Sequence, residues 1–361
     1  MKINNKKTFI IAEAGVNHNG SLKKALELID VAKLSGADAI KFQTFKATRL
    51  ANSKVEKAQY QKSTTDENES QLDMLAKLEL PESWHEELQA VAKKFGIEFL
   101  STAFDELSLQ FLQTLNLPIY KVPSGELTNG PLLWRFAKTK KPLILSTGMA
   151  TISEVEQGLA IINHALQHDD EPCHLDEVWS CWSNADAREV LKNNVTLLHC
   201  TSQYPTPWSE VNLRAMDTLA AAFGLAVGYS DHTMGTVIPI AAVARGATVI
   251  EKHITLDRML PGPDHKASLE VEEFKKMVED IRALELALGN GIKSPQASEF
   301  EIRKIVRQSI IAAQHLPVGK KIEPNDLTTA RTGSGLTPTL YWNLLGSIAQ
   351  KSYEPGEMLE L

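Results

Sequence analysis

Two lysines lie inside otherwise apolar segments of the chain, Lys41 in AIKFQT and Lys121 in IYKVP. A buried ammonium group is costly unless it is paired, so each lysine is expected to bind something. One could form a Schiff base with a carbonyl substrate, both could bind one phosphate, or each could form a structural ion pair with a glutamate. Hydroxyl and backbone N–H groups nearby favour the phosphate over the Schiff base. These groups belong to Ser124, Gly125, Ser146, Thr147, Gly148 and Ser230.

Two histidines could supply a second kind of chemistry. His232 and His253 follow consecutive apolar segments, and Glu251 lies beside the second of them. Two neutral imidazoles on adjacent strands can share one divalent metal ion and leave coordination positions for water and substrate. The alternative is that both are hydrogen-bonded structural histidines, and the spacing alone leaves both interpretations open.

The elements that must position these side chains alternate along the chain, with eight short apolar segments separated by amphipathic ones. Alternating strands and helices predict a parallel sheet. Eight units over roughly 285 residues favour a closed (β/α)8 TIM barrel, with its chemistry at the carboxyl ends of the strands. An open Rossmann-like sheet is disfavoured because no Gly-x-Gly-x-x-Gly follows the first strand. The predicted strands are residues 9–14, 39–44, 97–102, 119–123, 142–146, 195–200, 225–229 and 248–252.

Several helix ends can be predicted from their capping residues. Ser21 is a good N-cap for a helix that Gly36 would end. Gly96 would end a second helix for the same reason. Ser153 followed three residues later by Glu156 predicts a capping box at the start of a third.

The chain divides into two predicted domains. Residues 1–288 are expected to form the catalytic barrel, and the Gly, Ser and Pro residues of 289–300 indicate a linker. Residues 301–361 are rich in turn signals and predict a compact, mostly β module near the lower size limit for independent folding.

Two stretches interrupt the strand–helix alternation. Residues 48–78 are long and polar, which is typical of an active-site loop or lid. Residues 168–194, hereafter the insertion, contain Cys173, His174 and Cys181. Their spacing matches no common zinc pattern, so the insertion is predicted to be a solvated segment rather than a metal site.

Composition limits the classes of partner and the compartment. The net charge of −7 argues against a general nucleic-acid surface, which needs a basic face. The longest apolar stretch, residues 237–244, is too short to span a bilayer, so no membrane partner is expected. Three cysteines form an odd, sparse set that suits a reducing environment. With no export signal recognised, a cytoplasmic location is expected.

Seven motifs spread over nearly the whole chain strongly resemble the sialic acid synthase family. They are IAEAGVNHNG at 11–20, KFQT at 41–44, KVPSGE at 121–126, LSTGM at 145–149, YPTP at 204–207, YSDHT at 229–233 and GPDH at 262–265. The tail resembles that family's antifreeze-like SAF domain, which has a β-clip fold. The resemblance therefore implies a phosphoenolpyruvate-condensing TIM barrel followed by a small, mostly β SAF domain.

The resemblance also implies roles for individual residues. The expected phosphoenolpyruvate-binding set is Lys41, Thr102, Lys121, Ser124, Ser146 and Ser230. His232 and His253 are expected to bind manganese, magnesium or cobalt. The expected sugar-side residues are Glu13, Gln43, Gln203, Tyr204, Glu251 and Asp264. Of all these, Glu13, Glu251 and Lys121 are expected to act in catalysis, the two glutamates as charge stabiliser or base.

The reaction implied is condensation of phosphoenolpyruvate with an open-chain, N-acetylmannosamine-type amino sugar, with C–O cleavage and phosphate release, giving N-acetylneuraminate. The alternative product is N,N'-diacetyllegionaminate, made from 2,4-diacetamido-2,4,6-trideoxymannose. Family members work as domain-swapped homodimers, and Arg331 resembles the arginine that the tail inserts into the partner subunit's site. A synthase acting on a sugar phosphate is disfavoured, because no second phosphate site is recognisable. A non-catalytic binder is disfavoured by the complete set of polar strand ends.

Overall fold

The computed structural model describes residues 7–52, 56–66 and 69–360. Contacts between Cα atoms divide the chain into two units, Met1–Gly289 and Asn290–Leu361. The first unit holds the strand–helix alternation, and the second holds the turn-rich tail. The two units are described separately below.

Eight parallel strands of the first unit pair in sequence order and close into a barrel. They are β1 (Phe9–Gly15), β2 (Ala39–Thr44), β3 (Glu98–Ala103), β4 (Tyr120–Val122), β5 (Leu143–Ser146), β6 (Val195–Cys200), β7 (Ala226–Asp231) and β8 (Val249–His253). The prediction of a TIM barrel is confirmed, and each predicted strand lies within two residues of an observed one.

Helices surround this barrel and connect its strands. In the first unit they are α1 (Leu22–Leu34), α2 (Ala47–Leu50), α3 (Gln59–Thr64), α4 (Gln71–Leu78), α5 (Glu82–Phe95), α6 (Glu106–Thr114), α7 (Gly130–Lys138), α8 (Ile152–Gln167), α9 (Leu175–Ser183), α10 (Glu189–Asn194), α11 (Ala215–Phe223), α12 (Val237–Ala244) and α13 (Val271–Leu288). Within the described ranges, no helix combines the length and apolar character needed to cross a bilayer.

The predicted helix ends are mostly confirmed. The Ser21 side chain caps α1 by accepting from the Lys24 backbone N–H, and Gly96 ends α5 in the left-handed conformation at φ 69°. The capping box of α8 was predicted at Ser153 and Glu156, and this prediction is wrong by two positions. Thr151 and Glu154 form it instead, because the helix begins two residues earlier and Ser153 already lies in its first turn.

Inward-facing residues change from apolar to polar toward the carboxyl end of each strand. On β1 Ile11 is followed by Glu13, and on β2 Ala39 is followed by Lys41. The strand register places Ile11 beside Ala39 and Glu13 beside Lys41, so the polar residues form a layer. The apolar layer beneath them consists of Phe9, Ile11, Ala39, Leu100, Ile119, Ile144, Leu198 and Val249. Packed side chains thus fill the lower barrel, and the polar layer opens toward the strand ends.

Both interruptions of the alternation contain helices. Residues 48–78 contribute the end of α2 and all of α3 and α4, while 53–55 and 67–68 lie outside the described residues. The insertion forms α9 and α10. Its side chains Val178, Trp182 and Leu191 are buried in the main core, so the prediction of a solvated segment is wrong for this face. Apolar residues at helical spacing pack against the barrel's outer helices instead.

The second unit is a small domain built on a two-stranded antiparallel sheet. It contains α14 (Phe300–Val306), β9 (Gln308–Ala312), β10 (Leu327–Arg331) and α15 (Tyr341–Leu344). Isolated bridges such as Ile311–Met358 extend the β structure. Its separate core contains Ile310, Ala312, Leu316, Ile322, Leu327, Leu344, Ala349, Tyr353 and Leu359. The prediction of a small, mostly β C-terminal module is confirmed.

Candidate active site

A cavity of about 460 Å³ opens at the carboxyl ends of the barrel strands. Its lining brings together thirteen of the residues singled out from the sequence: Glu13, Lys41, Gln43, Thr102, Lys121, Ser124, Ser146, Tyr204, Ser230, His232, Glu251, His253 and Asp264. Because they come from all eight strands or the loops directly after them, closure of the barrel is what assembles the site.

Two lysines and two glutamates form a buried cluster at the floor of this cavity. Lys41 Nζ lies 2.5 Å from Glu13 Oε2 and 3.5 Å from Glu251 Oε2. Lys121 Nζ lies 3.8 Å from Glu251 Oε1, on the other side of that carboxylate. The ion-pair alternative left open by the sequence is therefore present, and it coexists with lysine ammonium groups that line the cavity.

The pKa values of the two glutamates in this cluster are shifted in opposite directions. Burial raises the pKa of Glu13 to about 7, against the lowering effect of Lys41. Burial also opposes ionisation of Glu251, but Lys121 and Lys41 outweigh it and lower its pKa to about 2. Burial lowers the pKa of Lys121. Near neutral pH one glutamate is fully charged and the other only partly, so an added anion stabilises both ammonium groups.

Hydroxyl and backbone N–H groups surround the two lysines. Thr102 Oγ1 accepts a hydrogen bond from Lys41 Nζ at 3.0 Å, and Ser230 Oγ donates to Glu251 Oε1 at 2.8 Å. Ser124 Oγ accepts from the Gly148 backbone N–H at 3.0 Å. Ser146 Oγ is buried without a hydrogen-bond partner among the described residues. This collection of donors suits a phosphate and a carboxylate on one small ligand.

The rings of His232 and His253 lie next to each other in the wall of the cavity. Their ring centroids are 5.5 Å apart, because β7 and β8 pair in parallel with Ser230 beside Glu251. Burial lowers the pKa of His232 to about 4. Burial and the neighbouring His232 hold the pKa of His253 well below its usual value. Both imidazoles are therefore neutral at pH 7, which is the form that binds metal ions.

The donor set fits a divalent metal ion. His232 Nδ1 lies 2.6 Å from the Thr201 carbonyl oxygen, which assigns the proton to Nδ1 and leaves Nε2 available. His253 Nδ1 is buried without a hydrogen-bond partner among the described residues and lies 3.9 Å from Asp264 Oδ2. Burial raises the pKa of Asp264 to about 7, and a bound cation would favour its ionised form. Two imidazoles and a carboxylate are ordinary ligands for such ions.

A buried ion pair joins the ends of β7 and β8 on the side that faces away from the cavity. Lys252 Nζ lies 2.6 Å from Asp231 Oδ2, and both side chains are fully buried. Lys252 also donates to the Thr233 backbone carbonyl. Side chains alternate across a strand, so Asp231 and Lys252 point away from the cavity while their neighbours point into it. The pair therefore positions the histidines without entering the site.

One wall of the cavity comes largely from the segment predicted to be an active-site loop or lid, through side chains that were not singled out from the sequence. Tyr60 stacks on Tyr204 with centroids 5.3 Å apart, and Tyr204 in turn packs on His232 at 4.1 Å. Apolar side chains line the same cavity: Val16, Phe45, Leu50, Met74, Leu75, Leu78 and Phe104. The helical spacing of the apolar residues in 71–78 was the available signal, but the segment was assigned to a polar loop.

One of the expected substrate residues of the barrel, Gln203, does not lie in this cavity. Gln203 is exposed and absent from the lining, and its backbone carbonyl accepts from Thr206 Oγ1 at 2.7 Å. The short turn after β6 directs Tyr204, not Gln203, toward the histidines. Arg331 ends β10 in the second unit and is exposed, so its expected role stays a prediction.

Comparisons with known proteins match both units. The NeuB family profile matches residues 28–293, and the SAF domain profile matches residues 307–360. The N,N'-diacetyllegionaminic acid synthase of Campylobacter jejuni is 48% identical over 354 residues, which cover 98% of this chain and 99% of that protein. The Legionella pneumophila protein of the same name is 47% identical over 351 residues, covering 97% and 93%.

A solved structure supports the same relationship at greater distance. The crystal structure of the N-acetylneuraminic acid (sialic acid) synthetase of Leptospira borgpetersenii aligns with a TM-score of 0.67 at 33% identity. The alignment covers 84% of this chain and 93% of that chain. The similarity therefore extends over most of both chains.

Proposed function

The chain belongs to the NeuB family and carries a SAF domain, and from this premise we propose that it condenses phosphoenolpyruvate with an amino-sugar aldehyde to give a nine-carbon 2-keto sugar acid. One observation supports the proposal above the others. The cavity places two buried lysines with their hydroxyl donors beside two neutral histidines and a carboxylate. That arrangement offers one pocket for an anionic donor substrate and an adjoining one for a metal-activated acceptor.

The lysine side of the cavity suits phosphoenolpyruvate. Lys41 and Lys121 lie on either side of Glu251, and a ligand carrying a phosphate and a carboxylate supplies the negative charge that two ammonium groups lack. Ser124, Ser146 and Ser230 add the hydroxyl groups. A ligand held here would direct its terminal carbon toward the histidine side. Holding the two reacting carbons close together in this way would lower the barrier to the reaction.

The histidine side suits the acceptor. A manganese, magnesium or cobalt ion held by His232 and His253 would act as a Lewis acid on the acceptor's aldehyde. Asp264 and Gln43 line the same region and would orient the sugar's amide and hydroxyl groups. Tyr60 and Tyr204 would cover the acceptor and shield its aldehyde carbon from bulk water.

The two glutamates have different roles in the proposed reaction. Carbon 3 of phosphoenolpyruvate forms the new bond to the aldehyde carbon, and water then adds at carbon 2. Glu251, ionised throughout the neutral range, stabilises the positive charge that develops at carbon 2. Glu13, with its pKa near 7, takes the proton from the attacking water. The tetrahedral centre then collapses by C–O cleavage and releases phosphate.

The acceptor we favour is 2,4-diacetamido-2,4,6-trideoxymannose, which differs from the first choice of the sequence analysis. The two relatives named legionaminic acid synthases are 48% and 47% identical to this chain, against 33% for the sialic acid synthetase structure. The apolar side chains on one wall of the cavity also suit an acceptor with a methyl group and a second acetamido group in place of hydroxyls. N-Acetylmannosamine remains the second candidate.

A phosphate-release assay with a panel of acceptors tests the choice. With phosphoenolpyruvate and Mn²⁺ present, we expect kcat/KM for the diacetamido-trideoxy sugar to exceed that for N-acetylmannosamine by about 10- to 200-fold, the range that one or two apolar contacts supply. Equal or better turnover of N-acetylmannosamine would contradict the legionaminate assignment. No phosphate release with any amino sugar would contradict the proposed reaction class.

Isotopic labelling tests the direction of bond cleavage. When the bridging oxygen of phosphoenolpyruvate carries ¹⁸O, we expect essentially all of the label in the released phosphate, because water attacks carbon 2 and the C–O bond breaks. Mass spectrometry of phosphate and sugar acid gives the distribution. Label retained in the sugar acid would show P–O cleavage and rule out the role given to Glu13.

We also propose that the active form is a domain-swapped homodimer in which Arg331 of one chain completes the site of the other. The exposure of this side chain at the end of β10 makes it available to a partner. A cytoplasmic location remains a prediction from composition.

A further inference from the structure

Three side chains that can bind metal meet on the outer surface of the barrel, outside the cavity described above. His164 and His168 are four residues apart at the end of α8, and Cys181 lies on α9 of the insertion. One potential ligand atom from each lies within 4.8 Å of the others. The sequence analysis considered Cys181 as a ligand only with its neighbours in the insertion, so the two histidines of the preceding helix were missed.

The surroundings of these side chains resemble the outer shell of a metal site. His168 Nδ1 lies 3.1 Å from the His164 carbonyl oxygen, which places its proton there and leaves Nε2 as a lone-pair donor. Asn163 Nδ2 and Gln167 Nε2 lie 3.4 Å and 3.5 Å from Cys181 Sγ. Two N–H donors directed at one sulfur favour a thiolate, whereas burial raises the pKa of the Cys181 thiol, so the thiolate would form when a metal ion binds.

His164 supplies the strongest indication that a ligand belongs here. Its side chain is buried, and its Nδ1 has no hydrogen-bond partner among the described residues. A buried polar nitrogen without a partner is uncommon in proteins, and a metal ion would satisfy it.

We propose that His164, His168 and Cys181 bind a structural zinc ion that fastens the insertion to the barrel. Two imidazoles and one thiolate match the borderline-soft character of Zn²⁺ better than the oxygen preference of Mg²⁺ or Ca²⁺. The fourth position is open to water or to Glu177, which lies one turn before Cys181 on α9 and acts electrostatically on His164.

A modest rotation of the side chains would bring the three ligand atoms to zinc-binding distances. Zinc bonds of about 2.0–2.3 Å place tetrahedral ligands roughly 3.3–3.6 Å apart, so ligand atoms at the present limit of 4.8 Å must approach each other by up to about 1.5 Å. The two imidazole rings stack with centroids 4.1 Å apart, and turning them about their Cβ–Cγ bonds would direct one nitrogen of each toward the sulfur.

The position of the cluster indicates a stabilising role rather than a catalytic one. Twelve residues of α8 separate His164 from Ile152 at the helix start, a distance of roughly 18 Å along the axis. The active-site loops precede that start, whereas the cluster lies at the opposite end, where barrels usually concentrate stability. Zinc binding would therefore hold α9 against α8 without touching the reacting groups.

The test uses the full-length, untagged chain with both active-site histidines replaced, His232→Ala and His253→Ala, so that only the proposed site can report. We expect about one zinc per chain by mass spectrometry after dialysis, and a rise of several degrees in the unfolding temperature on adding zinc. Cobalt substitution should produce a near-ultraviolet thiolate-to-metal absorption band. Adding Cys181→Ser or His168→Gln should remove the bound metal, the band and the temperature shift.

Cys173→Ser is the matched control, because Cys173 is an exposed thiol in the same insertion and does not belong to the cluster. It should retain metal and band. His168 is exposed, so its glutamine variant should fold even if Cys181→Ser does not, as circular dichroism would show. The proposal is overturned if the double-histidine variant binds no zinc at micromolar concentration, or if the band survives loss of Cys181. Neither result depends on the proposed synthase activity.

Discussion

Replacing either active-site histidine by alanine is expected to abolish metal-dependent turnover. In the proposed metal site, His232 and His253 would supply two of the ligands, and their rings face each other 5.5 Å apart. Losing one ligand removes both affinity for the ion and its correct placement at the aldehyde. Because Lewis-acid catalysis contributes several kcal/mol to the barrier, we expect kcat/KM to fall by at least about 10³-fold, or roughly 4 kcal/mol.

Two measurements separate this result from simple unfolding. Circular dichroism should match the parent protein, since the Lys252–Asp231 pair behind the site remains intact. Manganese binding, followed by electron paramagnetic resonance, should weaken in parallel with activity. The exposed His174→Ala variant serves as a control and should behave like the parent. A His232→Ala or His253→Ala protein with parental turnover would eliminate the two-histidine metal site.

Replacing Arg331 by alanine is the second change for which a large loss is expected. If this guanidinium enters the site of the partner subunit, its removal withdraws a charged donor from a bound substrate, and we expect kcat/KM to fall by about 10²- to 10³-fold. Stability should change little, because Arg331 is exposed at the end of β10. Lys321→Ala, another exposed cation of the same domain, should leave activity unchanged.

Co-expression with a barrel mutant shows whether the site is shared between subunits. Arg331→Ala chains keep an intact barrel, and His232→Ala chains keep an intact tail. Random pairing of a swapped dimer gives half heterodimers with one complete site each, so activity should recover to about a quarter of the parental value. Co-expressed chains with no recovery above the single variants would contradict a site shared between subunits, whatever the activity of Arg331→Ala alone.

Errors of the sequence analysis arose where long-range packing overrides a local pattern. Residues 71–78 were predicted as part of a polar active-site loop or lid; they do line the cavity, but as the helix α4, which directs Met74 and Leu78 into it. The insertion was taken for a solvated segment, yet Trp182 packs into the core. In the insertion polar residues outnumber apolar ones, and in both segments the effect of the apolar residues depends on the surface against which they pack.

In the active site, too, some features could be predicted from the sequence and others depend on the tertiary structure. The sequence and its family resemblance pointed to thirteen residues that the barrel brings into one cavity, and the NeuB and SAF matches confirm the resemblance. The motifs did not distinguish the two glutamates, because their pKa values depend on which lysines lie nearest. Nor did they connect Cys181 with His164 and His168, since those contacts depend on how the insertion folds back on α8.

By itself, the sequence determined the order of strands and helices, the strand ends to within two residues and the family of barrels that the chain resembles. These properties are local, because the alternation of apolar and polar side chains follows from strand and helix geometry. Only the tertiary structure decided that Lys41 lies between Glu13 and Glu251, that Gln203 points away from the cavity, and that α8 and α9 bring two histidines and a cysteine together. Those contacts join residues far apart in the chain, and their distances are set by the closure and stagger of the barrel, which no local pattern encodes.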